Sequence, residues 1–364
     1  YIMVVFMIIG AIDKIIGNKF GYGEKFDEGI MAMGTLAVAM VGVVSIAPVL
    51  AKILSPVIEP VYTFLGADPA MFATTLLAND MGGYPLAMEM ALTQEAGLFA
   101  GLIVGAMMGP TIVFTIPVAL GIIKKEDHPY LAKGVLAGII TIPIGSFVGG
   151  LVAGFDIGMI LANLLPILLV SILIALGLWR IPAKMIHGFN RFGQGVVIVI
   201  TIATAAIIVE TLTGIVVIPG MAPIWDGIEI VGAIAITLAG AFPMVYVITK
   251  VFKKPLMAAG KLLGMGDVAA AGMVATLANN IPMFGMMKDM DHRGKVLNTA
   301  FAVSAAFVFG DHLGFTAGVN REMIFPMVVG KLVGGVTAVA LAMLITPKNE
   351  VVPEAVKVEE TKEA

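Results

Sequence analysis

Four ionisable residues lie within stretches of the chain that are otherwise apolar. Asp80 follows TTLLAN, Asp311 and His312 interrupt FVFGDHLGFT at what we expect to be the middle of a helix, and Glu210 lies in IIVETLTG. Charged groups in an apolar interior are costly, so each is a candidate for binding or coupling a solute, an ion or a proton. The alternatives are a structural pair or hydrogen-bonded plug for the aspartates, a separate polar cavity for Glu210, and a neutral imidazole bonded to a backbone carbonyl for His312.

Polar and aromatic residues recur beside Asp80 and again about 200 residues later. Asn79, Asn279 and Asn280 are predicted either to bind the solute or to cap short helices. Tyr84 and Phe284 stand at matching places, and an aromatic face beside a carboxylate suits an ammonium group through cation–π attraction. The alternative for both rings is ordinary packing.

Patterns typical of enzymes and nucleic-acid-binding proteins are missing from the sequence. It contains no Walker loop, no HExxH, no GxGxxG and no cysteine, and it has only four histidines. No basic stripe accompanies the net charge of −3. We therefore expect no enzymatic activity, no cofactor, no metal and no nucleic-acid partner.

The elements that must position these residues are membrane helices. Hydrophobic residues make up 59% of the 364 residues and charged residues 13%, and the mean hydropathy is +1.02. Runs near the ~20 residues needed to cross a bilayer recur throughout. They predict an all-α polytopic membrane protein with spans at 1–12, 30–54, 97–123, 131–154, 158–179, 192–217, 228–250, 296–318 and 323–346. Residues 1–347 are taken as a single transmembrane domain.

Two further apolar segments, 68–90 and 267–288, are interrupted by asparagine, glycine and proline at their middle. If both are re-entrant hairpins, sixteen of the 22 lysines and arginines fall in the loops or at the segment ends of one side, and only Arg321 in the loops of the other. The positive-inside rule then places the N-terminus outside and the C-terminus in the cytoplasm. The charged tail 348–364 is predicted to be cytoplasmic and disordered. Tyr1 stands within an apolar run, so we expect a short N-terminal piece before it.

The two interrupted segments resemble each other. LLANDMGGYPLAMEM and TLANNIPMFGMMKDM align at an offset of 200, and Gly109 aligns with Gly310 at an offset of 201. With the charge-based topology, the units 29–123 and 227–318 have opposite orientations. Inverted repeats with broken helices are typical of secondary transporters, and two tips approaching from opposite faces form one site with two gates.

The same stretches also resemble a known family. LANDMGGYPLAMEMA, GAMMGPTIVFTIPVALG, LANNIPMFGMMKDMDHRGKVLN and FVFGDHLGFTAGV together are similar to bacterial EutH-type ethanolamine-utilisation transporters, and the similarity runs to about Pro347. The resemblance implies a secondary transporter or facilitator that takes up ethanolamine across the cytoplasmic (inner) membrane. It brings no established set of binding residues, so the candidate residues rest on their own patterns.

The alternatives are a carrier for another small polar solute, such as a nucleoside or a dicarboxylate, and a passive channel. Two acidic groups disfavour an anionic solute, and paired inverted hairpins favour a carrier over a pore. A cation entering a negative interior gains about 2.3 kcal/mol per 100 mV, which supports roughly fifty-fold accumulation. Uniport is therefore sufficient for uptake, and coupling to protons or sodium stays an open alternative. A homodimer formed through the scaffold helices is also left open.

Overall fold

The computed structural model describes residues 2–346, and every regular element in that range is helical. The predicted disordered tail, 348–364, lies outside the described residues. In chain order the helices are α1 (Ile2–Ile15), α2 (Tyr22–Phe64), α3 (Ala70–Leu76), α4 (Tyr84–Met90), α5 (Gln94–Ile122), α6 (His128–Val152), α7 (Ile157–Arg180), α8 (Pro182–Thr213), α9 (Ile224–Leu262), α10 (Asp267–Thr276), α11 (Asn280–Met286), α12 (His292–Ala305), α13 (Asp311–Val319) and α14 (Ile324–Ile345).

Within residues 2–346, seven helical stretches are long and apolar enough to cross a membrane. Each coincides with one of the nine predicted spans. The other two predicted spans do not qualify, because α1 has only 14 residues and the span 296–318 is divided into α12 and α13. The fold is therefore all-helical and multi-pass, and the number nine stays a prediction.

The division between α12 and α13 corrects the expectation that Asp311 and His312 lie at the middle of a helix. Phe307 has a positive φ of 63°, and the amides of Phe307 and Phe309 donate to Thr276 O (3.2 Å) and Leu277 O (2.9 Å). These amides leave the helical ladder and bond across to the end of α10. Asp311 consequently begins a helix, α13.

Both interrupted segments consist of two short helices that contact each other. In the first segment α3 and α4 flank residues 77–83, and in the second α10 and α11 flank residues 277–279. One carboxylate joins the two ends of each segment. Asp68 accepts the amides of Ala70 (2.9 Å) and Leu92 (3.0 Å).

Asp291 does the same for the second segment, accepting the amides of Gly266 (2.8 Å) and Gly294 (2.9 Å). The chain therefore enters and leaves each segment at one place. We call these two carboxylates, with the amides they accept, the base clasps.

The longest helices pack as antiparallel pairs through glycine. In α2 and α9, Gly29 lies against the backbone of Leu238 and Ala239, whereas Gly227 lies against Val41. Rising residue numbers on one helix thus match falling numbers on the other. Since glycine carries no side chain, the two backbones approach closely, as is common between membrane helices.

Helices α6 and α14 form the second antiparallel pair. Gly145 lies against Gly330 and Gly334, and Gly149 against Pro326 and Gly330. The Thr141 hydroxyl also donates to Gly334 O across this contact, at 3.2 Å. The two antiparallel pairs form much of the framework that holds the broken segments.

Candidate functional site

A central cavity of about 330 Å³ lies where the first broken segment meets the start of α13. Its polar lining includes Asp80, Asp311 and His312, which the sequence analysis singled out from positions far apart in the chain. Helix α2 contributes Thr35, and the other walls are apolar. They include the aromatic rings of Phe114, Phe242 and Phe307.

Asp80 reaches the cavity because the backbone is broken around it. Leu77 and Ala78 are extended, and Ala78 O accepts the amides of Met81 (3.0 Å) and Gly83 (2.8 Å). Gly82 has a φ of +93° and lies so close to Val43 that a Cβ would stand 2.3 Å from its Cγ2. A side chain at that position would be both strained and crowded, so the turn that presents Asp80 requires glycine.

Asp311 occupies the first position of α13 and lines two cavities. The second, here the adjoining cavity, has a volume of about 300 Å³ and also includes Asn279, Lys25 and Glu28. Phe242 lies between the two cavities and lines both. Because Glu28 is exposed, the adjoining cavity reaches the protein surface.

Behind His312 lies a lysine that the sequence analysis did not single out. Lys331 is 1% exposed, donates to Ala106 O, and places its Nζ 3.0 Å from His312 Nδ1. An ammonium group only donates, so we assign Nδ1 as the acceptor and the imidazole proton to Nε2. Asp80 interacts electrostatically with both Lys331 and Asp311.

Lys331 carried a signal in the sequence. It lies well inside the predicted span 323–346, where a charge is a functional candidate by default. The loop-charge count left Lys331 out because it considers only residues between spans or at their ends.

The three asparagines differ in their surroundings. Asn279 caps α11, since its Oδ1 accepts the amide of Ile281 at 2.8 Å, and it also lines the adjoining cavity. Asn280 is buried and donates to Thr115 Oγ1 at 3.0 Å. Asn79 is fully buried, and neither polar atom of its side chain has a hydrogen-bond partner among the described residues.

The remaining candidates lie outside both cavities. The Tyr84 ring packs edge-on against Phe315, with 5.6 Å between ring centroids, and Phe284 is 1% exposed within the hydrophobic core. Glu210, on α8, lines neither cavity, although its Oε2 is buried without a partner among the described residues. For the two rings, the packing alternative is the one that their contacts match.

The described residues contain no group of three or more His, Asp or Glu side chains that could hold a metal ion. The charged groups of the central cavity are two carboxylates and, one side chain further back, an ammonium. Such an arrangement can bind a small cation by charge and hydrogen bonding.

These features define an all-helical, multi-pass membrane protein with a small charged cavity at a break between helices. The family described as "Ethanolamine utilisation protein, EutH" matches residues 1–345. The chain therefore belongs to the EutH family.

Curated relatives cover nearly the whole chain. A "Probable ethanolamine permease EutH" of Listeria monocytogenes is 73% identical over 343 residues, covering 94% of this chain and 92% of the relative. A protein of the same name from Escherichia coli is 54% identical over 388 aligned positions, covering 96% and 95%. The "Uncharacterized protein YxeR" of Bacillus subtilis is 58% identical over 347 residues, covering 95% and 94%. No solved structure matches this chain.

Proposed function

We propose that this protein carries ethanolamine into the cell as the ammonium cation, and that the central cavity is its binding site. The observation that carries the proposal is the charge of the cavity. Counted with their ordinary charges, Asp80 and Asp311 contribute −2 and Lys331 contributes +1. One monovalent cation brings this net charge from −1 to zero, whereas an anion makes it more negative.

The lining also fits the two ends of ethanolamine. The ammonium group can lie between the carboxylates and the aromatic faces of Phe114 or Phe307, which favour cations. The hydroxyl has Thr35 and the Nε2 proton of His312 as partners in the same lining. The family match and the relatives named ethanolamine permease support the same cargo.

We further propose that the two broken segments are re-entrant hairpins in inverted repeats. The base clasps support this, because they bring both ends of each segment to one place. The two breaks also pack alike. A Cβ on Gly109 would stand 1.9 Å from Leu77 O, and one on Gly310 would stand 2.1 Å from Ala278 O.

The antiparallel helix pairs extend the correspondence between the repeats. Helices α2 and α9 precede the first and second broken segments, and α6 and α14 follow them. In each pair the equivalent helices pack together in opposite directions. Equivalent elements that meet antiparallel are what an inverted repeat requires.

Alternating access between these hairpins is the mechanism we infer. Asp311 and Phe242 separate the central cavity from the adjoining cavity, which reaches the surface near Glu28. Cargo held by Asp311 can therefore leave through the adjoining cavity once Phe242 moves. The opposite side opens when the first broken segment, which carries Asp80, moves away.

The test is uptake of labelled ethanolamine into proteoliposomes under an imposed, inside-negative potential. We expect saturable uptake that rises with the potential and is lost in Asp80→Asn and Asp311→Asn. The matched control is Asp289→Asn, which removes one exposed carboxylate outside both cavities and should transport like the wild type. All three variants must reach the membrane in equal amounts.

Three outcomes contradict different parts of the proposal. Wild-type protein that takes up a nucleoside but not ethanolamine overturns the cargo. Wild-type rates in both aspartate variants overturn the site. Uptake that neither saturates nor shows counterflow indicates a channel.

A further inference from the structure

The central cavity is larger than the cargo proposed for it. Its volume is about 330 Å³, the share of liquid volume that about eleven water molecules take up at about 30 Å³ each. Ethanolamine has four non-hydrogen atoms and, at no more than one water volume for each, fills roughly 120 Å³. More than half of the cavity is therefore left unfilled by ethanolamine.

The unfilled space is poorly suited to water. Its polar lining consists of Asp80, Asp311, His312 and Thr35, and the ammonium and hydroxyl groups of ethanolamine use these as partners. The other walls, Leu36 among them, are apolar. Because an enclosed water typically makes about three hydrogen bonds, apolar substituents on the cargo suit this space better than water does.

An aromatic wall stands beside one of the two carboxylates. The ring centroids of Phe114 and Phe307 are 5.5 Å apart, and those of Phe307 and His312 are 5.2 Å apart, so the three rings are in contact. Asp311 directly precedes His312 at the start of α13 and lines the same cavity. Methyl groups on an ammonium nitrogen are apolar and share its positive charge, so a methylated ammonium suits this combination of carboxylate and rings.

Helix α2 contributes a wall of small side chains. Ala32, Thr35 and Ala39 line the cavity at spacings of three and four residues, which places them on one face of the helix. A larger side chain at Ala32 or Ala39 would take up the space that ethanolamine leaves. These alanines therefore determine how large a cargo the cavity accepts.

We propose that the site accepts a class of cargo, namely ethanolamine and its N-methyl and N,N-dimethyl derivatives, and that Ala39 keeps the cavity wide enough for them. The inference rests on the proposed function, because it places the ammonium group between Asp80 and Asp311. N,N-dimethylethanolamine, with six non-hydrogen atoms, needs roughly 180 Å³ by the same measure and still fits. It also keeps one N–H for a carboxylate, whereas choline has none and would leave a buried acceptor without a donor.

The test is uptake by the wild-type protein in proteoliposomes, with labelled ethanolamine and, separately, labelled N,N-dimethylethanolamine. We expect saturable uptake of both. Unlabelled dimethylethanolamine should halve ethanolamine uptake at a concentration no higher than that at which unlabelled ethanolamine does. Choline should need a concentration at least about tenfold higher, because it cannot donate to a carboxylate.

Ala39→Leu tests the wall of α2. The ratio of the two half-inhibition concentrations should shift about tenfold against dimethylethanolamine, because room for two buried methyl groups is lost. The matched control is Ala205→Leu, which enlarges an exposed alanine of α8 outside both cavities and should keep the wild-type ratio.

The outcomes separate this inference from the proposed function. Uptake of ethanolamine with neither uptake of dimethylethanolamine nor competition by it overturns the inference and leaves the proposed function standing. Uptake of dimethylethanolamine alone supports the wider class and overturns ethanolamine as the cargo, and uptake of neither contradicts both. Equal inhibition by choline overturns the need for an N–H donor, and an unchanged ratio in Ala39→Leu overturns the role of Ala39. If that variant does not fold, the wild-type competition decides.

Discussion

Among single residues, Lys331 has the most consequential position. It is buried and hydrogen-bonded to Ala106 O and His312. Removing its ammonium group would leave both acceptors without a donor in an apolar interior. On the proposed function it also sets the charge that the cargo meets, because without it the two carboxylates stand alone. We therefore expect Lys331 to make the site selective for one positive charge and not two.

The variant Lys331→Met tests that role. Loss of the donor leaves Ala106 O and His312 Nδ1 unpaired, so we expect the free energy of unfolding to fall by about 1–3 kcal/mol and ethanolamine uptake to decrease. The site charge becomes −2, so 1,3-diaminopropane, a dication, should compete at concentrations that leave the wild type unaffected. Competition in proteoliposomes measures both effects.

The control is Lys52→Met, which removes an exposed lysine from α2. It changes the protein's net charge equally but should leave uptake and competition as in the wild type. A Lys331→Met protein that transports normally and ignores the diamine would show that Lys331 is only a packing residue.

At the scale of elements, the breaks depend on two close approaches of glycine to backbone. Gly109 in α5 faces Leu77 O, and Gly310 faces Ala278 O. Both oxygens belong to the backbone, so an added Cβ could be accommodated only by shifting the main chain. We therefore treat each break and the glycine that faces it as one packed unit.

Gly109→Ala and Gly310→Ala should each destabilise the protein. Overpacking of this kind costs about 1–3 kcal/mol, which corresponds to a fall in melting temperature of roughly 1–4 °C for a chain of this length. Gly121→Ala and Gly285→Ala are the controls, because a Cβ at either position meets nothing within 4 Å. Fluorescence-detected thermal unfolding in detergent makes the comparison, and equal melting temperatures in all four variants would contradict the close approaches.

The two broken segments could be predicted from sequence, but the break between α12 and α13 could not. Asparagine, glycine and proline at the middle of 68–90 and 267–288 are local signals. Residues 306–310 carry only Gly310, and their amides bond to Thr276 and Leu277 some thirty residues earlier. A contact between residues so far apart leaves no pattern in the local sequence. Asp311 was therefore predicted to lie at the middle of a helix.

The candidate site was likewise predictable from the sequence only in part. Asp80, Asp311 and His312 stood out as charges in apolar sequence, and the fold brings them to one cavity. Tyr84 and Phe284 matched by position in the repeat, yet their rings face packing partners. Sequence spacing indicates which residues share a break but not which way a side chain points from it.

For the whole molecule, the contacts between loops agree with the predicted sides. Asp127 meets Lys295, and Thr346 O accepts from Arg293, all in regions assigned to the cytoplasm. Asp68 accepts from Leu92 and donates its own amide to Asn163, and the predicted topology places both ends of the first broken segment and the start of α7 on the outside. We therefore keep the predicted orientation as a proposal.

Because the chain has no cysteine, single-cysteine labelling can test that orientation. A membrane-impermeant maleimide should label Gln94→Cys in intact cells, whereas Glu126→Cys should react only after permeabilisation. Both native side chains are exposed, so a difference in labelling reports the side of the membrane. The reverse pattern would invert the topology and, with it, the direction in which the adjoining cavity opens.

Asp311 lines both cavities, and on the proposed function this sharing sets the stoichiometry of transport. A cation in either cavity uses the same carboxylate, and with Asp80 and Lys331 counted, a single positive charge completes the pair of cavities. Each turnover then moves one ethanolammonium and one elementary charge. For uniport, electric current then reports the flux of the nutrient directly, and the membrane voltage determines how far the nutrient is concentrated.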